Sequence, residues 1–154
     1  MLEVLAAWPG AVLLRETPTA YIFVNAGHIL GIGLLLGAIL PLDLRLAGLW
    51  PAVPIAVIGP FLTRVAAIGL GLTLACGLWL FSVRPGHYAD NAAFQAKLVL
   101  LMLALINVGL QHRRPAFRAA LAGGPLAASV RVSALVSALL WLSVLVAGRW
   151  IGFL

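Results

Sequence analysis

Acidic side chains are nearly missing from this sequence: four Asp and Glu stand against ten Lys and Arg and three His in 154 residues. Charged residues together make up 9% of the chain, where soluble domains carry about 25%. That deficit excludes an ordinary solvated globular domain. The single cysteine, Cys76, rules out an intrachain disulfide and any four-cysteine zinc site. No phosphate loop, Rossmann glycine pattern, HExxH or nucleophile elbow is present, which argues against common hydrolases and nucleotide-driven pumps. What fills the chain instead is apolar: 64% of residues are hydrophobic, and the mean hydropathy is +1.13. The length is too short for two ordinary domains. The expectation is therefore one all-α membrane domain over 1–154, a four-helix bundle with a short N-terminal interfacial helix.

Runs without charge locate the spans: 17–42, 65–83, 98–112 and 132–148. A helix needs about 20 apolar residues to cross the hydrocarbon core. The third run reaches that length only when Lys97 is admitted. The stretch 46–63 contains Pro51, Pro54 and Pro60, so it reads as a broken interfacial loop, with the second span starting at Pro60. The expected spans are about 20–42, 60–82, 91–112 and 130–150. Segment 1–14 lacks a basic leader and reads as a helix lying on the membrane surface. Asp43 and Arg45, at the end of the first span, are expected to fix the following loop.

Four spans put both termini on one side, with Arg15, Arg84 and Arg149. Arg45, Arg64, Arg113, Arg114, Arg118 and Arg131 fall on the other. The positive-inside rule then predicts a multi-pass membrane protein with both termini on the non-cytoplasmic side. The basic cluster His112–Arg118 serves this topology and anionic headgroups, and no motif adds nucleic acid as a partner. Small residues at four-residue spacing (Gly27/Gly31, Gly33/Gly37, Gly69/Thr73/Gly77, Ser129/Ser133/Ser137) either pack helices closely or leave room for a flat cofactor.

Ionisable groups inside a bilayer are costly, so each is a candidate for function. His28 lies about 10 Å below the outer end of the first span and Lys97 about 9 Å below the same face, counted along parallel helices. Lys97 either snorkels outward or points into the bundle as a neutral amine able to bind metal or move a proton. His28 is either a hydrogen-bonded core histidine, capped by Asn25, or a ligand beside Gly31. His87 and Asp90 in RPGHYADN form either a plain loop or a proton path. His112 lies about 22 Å from Lys97 and belongs to the other interface. Asn107 is expected to hydrogen-bond between helices.

The order of His28, TLACGLWLF (73–81) and FQAKLVLL (94–101) resembles the HemJ-type protoporphyrinogen oxidases. More loosely it resembles the membrane domain of CopD-type copper-resistance proteins. It is also similar to small bacterial four-span proteins sharing DLRLxGL, FxxKL and a terminal GRW, which appear here at Asp43–Leu49, Phe94–Leu98 and Gly148–Trp150. The HemJ resemblance implies haem b held by His28 and Lys97, with electrons passing to a quinone or a larger membrane complex. The proline-rich loop, the PLDLRLAGLW helix end and the N-terminal helix depart from that pattern. The CopD resemblance implies copper or small-solute transport, with Met102 and His87 as test positions. A third expectation is a non-catalytic accessory subunit whose buried polar groups only specify packing.

Overall fold

A computed structural model describes residues 2–153; positions 1 and 154 of the expected domain lie outside the described residues. The helices are α1 (Leu2–Ala7), α2 (Pro9–Glu16), α3 (Pro18–Ala47), α4 (Ile55–Val83), α5 (Pro85–Ala89), α6 (Ala92–Arg113), α7 (Pro115–Leu121) and α8 (Ala128–Trp150). A single 3₁₀ turn, Ile151–Phe153, follows. Four of these helices are long and apolar enough to cross a membrane, and the molecule is an all-α membrane bundle. At 30 and 29 residues, α3 and α4 measure about 45 Å, longer than the ~30 Å hydrocarbon core.

Local chemistry explains the ends. Pro18 opens α3 at a position whose N–H has no helical acceptor. Gly48 closes it in the left-handed region (φ 117°), with Gly48 N–H on the Arg45 carbonyl and Leu49 N–H on the Leu44 carbonyl. Asn91 caps α6 by accepting from Phe94 N–H at 3.0 Å.

Two expectations need correction. The loop after α3 is only residues 48–54, and α4 begins at Ile55 and runs straight through Pro60. Pro60 sits early enough in the helix that it removes a single intrahelical bond, and Thr63 Oγ donates to the neighbouring Gly59 carbonyl at 2.8 Å. The N-terminal segment is two helices broken before Pro9. It packs on the bundle: Trp8 Nε1 donates to Ser82 Oγ and Trp79 Nε1 to the Gly10 carbonyl, each at 2.9 Å. Arg15 reaches the Val83 carbonyl, and Asn91 Nδ2 the Ile151 carbonyl. Both ends of the described chain therefore lie at the α5 end of the bundle.

The long helices pair α3 with α4 and α6 with α8, and α3 against α8 joins the pairs. The tightest crossing is α3 on α4. A Cβ on Gly69 would stand 2.5 Å from Leu35 N and 2.8 Å from the Gly31 carbonyl oxygen. A Cβ on Gly31 would meet Thr73 Oγ1 at 2.6 Å and Thr73 N at 2.7 Å. Backbone touches backbone here, which is how small residues hold helices together in lipid. Gly33 and Gly37 have open space beside them. Asn107 clasps α8 as expected, donating to the Ser133 carbonyl at 3.1 Å and accepting from Ser133 Oγ at 3.0 Å. Leu35, Ala38, Ala66, Ala104 and Trp141 form a dry middle shared by all four long helices.

Gly69→Ala is expected to destabilise the bundle by about 1–3 kcal/mol, because the clashing atoms are backbone. Gly33→Ala, on the open side, is expected to cost nothing measurable. Circular-dichroism melts of both variants in one detergent check the contrast.

Candidate functional site

His28 sits half-buried on α3, facing α4. Its Nδ1 lies 2.9 Å from the Thr73 carbonyl oxygen. A carbonyl only accepts, so Nδ1 carries the hydrogen and Nε2 keeps a lone pair. This is the arrangement in which an imidazole binds a metal through one nitrogen while the other is fixed. The ring lies flat enough to need Gly77: a Cβ there would stand 3.0 Å from His28 Cε1. Thus Gly77, whose spacing left close packing and cofactor room both open, makes room for the imidazole itself.

Lys97 lies half-buried on α6. Its side chain runs against Gly148 of α8, with Cε and Nζ 3.5 Å from where a Cβ would stand. Among the described residues it makes no hydrogen bond or salt bridge; Phe94, one turn before it on α6, stacks on Phe81, one turn past Gly77 on α4, so Lys97 and His28 lie at one level of the bundle. The structure therefore places the two side chains in one neighbourhood. Neither α3 nor α4 touches α6 along its backbone, so this neighbourhood is spanned by side chains. One turn outward, Phe81 of α4 stacks on Phe94 of α6 at 5.3 Å and 4° between planes. Tyr88 of α5 tilts onto both rings at 6.1 and 5.7 Å. Burial in this cluster, with Tyr21 nearby, pushes the Tyr88 phenol up from its ordinary value.

Other expected positions fall elsewhere. Asn25 is half-buried, and the cap expected on His28 comes from the Thr73 carbonyl instead. The face of Gly31 is filled by Thr73 and Gly69, so Gly31 serves the helix crossing. His87 and Asp90 are exposed on and after α5. His87 meets Tyr88 edge-on at 5.9 Å, and among the described residues no hydrogen bond connects either side chain to His28. Met102 is exposed at 59%, facing away from any donor set. Among the described residues no three of His, Cys, Asp and Glu gather as metal ligands.

Arg45 fixes the loop as expected, donating to the Val53 carbonyl at 2.7 Å and the Pro51 carbonyl at 3.0 Å. Asp43 does not. It faces a cavity of about 140 Å³ at the opposite end of the bundle from Lys97, and neither His28 nor Lys97 lines that cavity. An apolar space near 150 Å³ holds a benzene-sized molecule, so no porphyrin fits there. His112 lines the same cavity and leans on Phe117 at 4.9 Å.

Nitrogen-15 NMR of His28 is expected to show the hydrogen on Nδ1 and a lone pair on Nε2. Gly77→Ala should displace the ring and shift both resonances while the helical content stays unchanged.

No curated protein and no solved structure matches this chain. A family model matches residues 17–154, covering all four long helices. The chain belongs to the family of unknown function DUF6644.

Proposed function

We propose that the chain is a membrane haem b protein acting in electron transfer or oxidoreduction, with His28 and Lys97 holding the iron. The observation that carries this reading is the pair itself. His28 has one nitrogen fixed by the Thr73 carbonyl, and among the described residues the other has no hydrogen-bond partner. Lys97 lies at the same level of the bundle and has no protein partner among the described residues. Two nitrogen donors of this kind suit a haem iron. They do not suit copper handling, since the exposed Met102 and the lone Cys76 supply no soft donor set.

A bound haem supplies one-electron chemistry whose potential follows from its ligands and burial. The chain's own contributions are more specific. The Thr73 carbonyl holds the His28 tautomer and makes Nε2 a better donor. Gly77 and Gly148 let both side chains lie close to neighbouring backbones. Phe81, Tyr88 and Phe94 close the end of the bundle against water. The positive-inside distribution supports this end facing the non-cytoplasmic side, and the likeness to small bacterial four-span proteins supports a bacterial inner membrane. Partners there are a quinone or a larger membrane complex. The likeness to HemJ-type oxidases supports the same ligand pair.

Detergent-purified protein is expected to give a b-type spectrum on dithionite reduction and a positive pyridine haemochrome. His28→Ala should abolish the Soret band, and Lys97→Ala should shift or abolish it, both with helical content preserved. A colourless protein that takes up no added haem overturns the reading.

A further inference from the structure

The four long helices do not close a full ring. Backbone contacts run from α4 to α3, from α3 to α8 and from α8 to α6, while α4 and α6 stay apart. The stacked rings of Phe81 and Phe94 show which sides of α4 and α6 face each other across this seam. About five turns of helix separate Phe81 from Thr63 on α4, and Phe94 from His112 on α6. Thr63 and His112 therefore face the same seam at its other end. There the cavity of about 140 Å³ is lined by Thr63, Ala67 and Leu70 from α4 and by Val108 and His112 from α6. Ala67 and His112 are exposed, so the cavity reaches the surface between the two helices, where the bilayer lies. Further in, the walls are apolar, with Leu35, Ile39 and Leu42 of α3.

The rim of this opening is basic. Three residues that line the cavity are each followed in the chain by an exposed arginine: Thr63 by Arg64, His112 by Arg113 and Phe117 by Arg118. No carboxylate is placed to neutralise them. Glu3, Glu16 and Asp90 belong to the α5 end, and Asp43 is 3% exposed, buried beside Ser137 of α8. Arg64 and Arg113 also lie on helices long and apolar enough to cross a membrane. Exposed arginines at the membrane surface attract anionic headgroups, and an apolar opening between helices accepts hydrocarbon.

We propose that the seam between α4 and α6 holds one anionic phospholipid of the phosphatidylglycerol kind. Its phosphate lies among Arg64, Arg113 and Arg118, and the upper part of one acyl chain enters the cavity. An apolar space of this size takes about six carbons; the rest of the chain lies along the outside of the seam. The occupant needs no polar contact inside the cavity. The site is separated from His28 and Lys97 by the packed core and does not depend on the haem reading.

The test places the full chain in phosphatidylcholine nanodiscs containing a minor fraction of lipid brominated in the first half of one acyl chain. Bromine quenches tryptophan at close range. Trp141, 2% exposed and lining the cavity, reports entry of the chain, and subtracting the signal of Trp141→Phe removes the other tryptophans. Brominated phosphatidylglycerol is expected to quench Trp141 at about a tenfold lower mole fraction than brominated phosphatidylcholine. Arg64→Gln and Arg113→Gln, both at exposed positions, should each weaken that preference about fivefold. Ala67→Phe should block the opening and abolish the quenching with helical content preserved; should it fail to fold, the two arginine variants still carry the test. Equal quenching by the two lipids overturns the proposal, as does a Trp141 that neither lipid quenches. Retention of the preference in both arginine variants overturns it too, as does full quenching in folded Ala67→Phe.

Discussion

Gly31 and Gly69 bring two helix backbones into direct contact, and the rest of the bundle is arranged around that contact. In lipid, apolar side chains gain little by meeting one another, so close backbone approach must supply the specificity. With α3 and α4 locked at this crossing, the Thr73 carbonyl falls opposite His28, and Gly77, two turns beyond Gly69, receives the imidazole. The same crossing sets Leu35 beside Ala66, where α6 and α8 close the middle with Ala104 and Trp141. A side chain at residue 31 or 69 would separate the helices and withdraw the carbonyl that fixes the histidine. Packing and site therefore share one set of residues, and the glycine spacing serves the imidazole through the packing.

Much of this was legible in the sequence because the bilayer imposes a length. Uncharged runs gave four spans close to the observed helices, and a constant rise per residue set His28 and Lys97 level. Pro60 misleads because it suits a helix's first position, whereas α4 starts five residues earlier and continues through it with one bond forfeited. The helices α5 and α7 were missed although each announces itself with Arg-Pro at its start, Arg84-Pro85 and Arg114-Pro115. Asp43 and Arg45 were treated as one unit because they are near in sequence. Residues two apart on a helix point to different sides, so Arg45 turns to the loop and Asp43 to the cavity. The seat of Lys97 on Gly148 was not legible, since it depends on which helices pair, and composition does not encode that order.

The two polar regions of the bundle differ in chemistry and are kept apart by its core. Near α5 stand two basic nitrogens, on His28 and Lys97, under an aromatic cluster. Near α7 stands the buried carboxyl of Asp43, beside Ser137 and Trp141; among the described residues its Oδ2 and the Trp141 indole N–H have no partner. Between them lie Leu35, Ala38, Ala66 and Ala104, which offer no hydrogen bond along which a proton or water could pass.

What connects the regions is α3 itself, which carries both His28 and Asp43 on one continuous helix with Pro41 inside it. Any influence of one on the other must then travel as a shift of that helix against α4 and α8. Its contact with α4 is backbone on glycine and resists sliding. Its contact with α8, at Ser137 and Trp141, encloses the cavity and has room to change. The glycine crossing thus holds the His28 end of α3 against changes in packing at the Asp43 end.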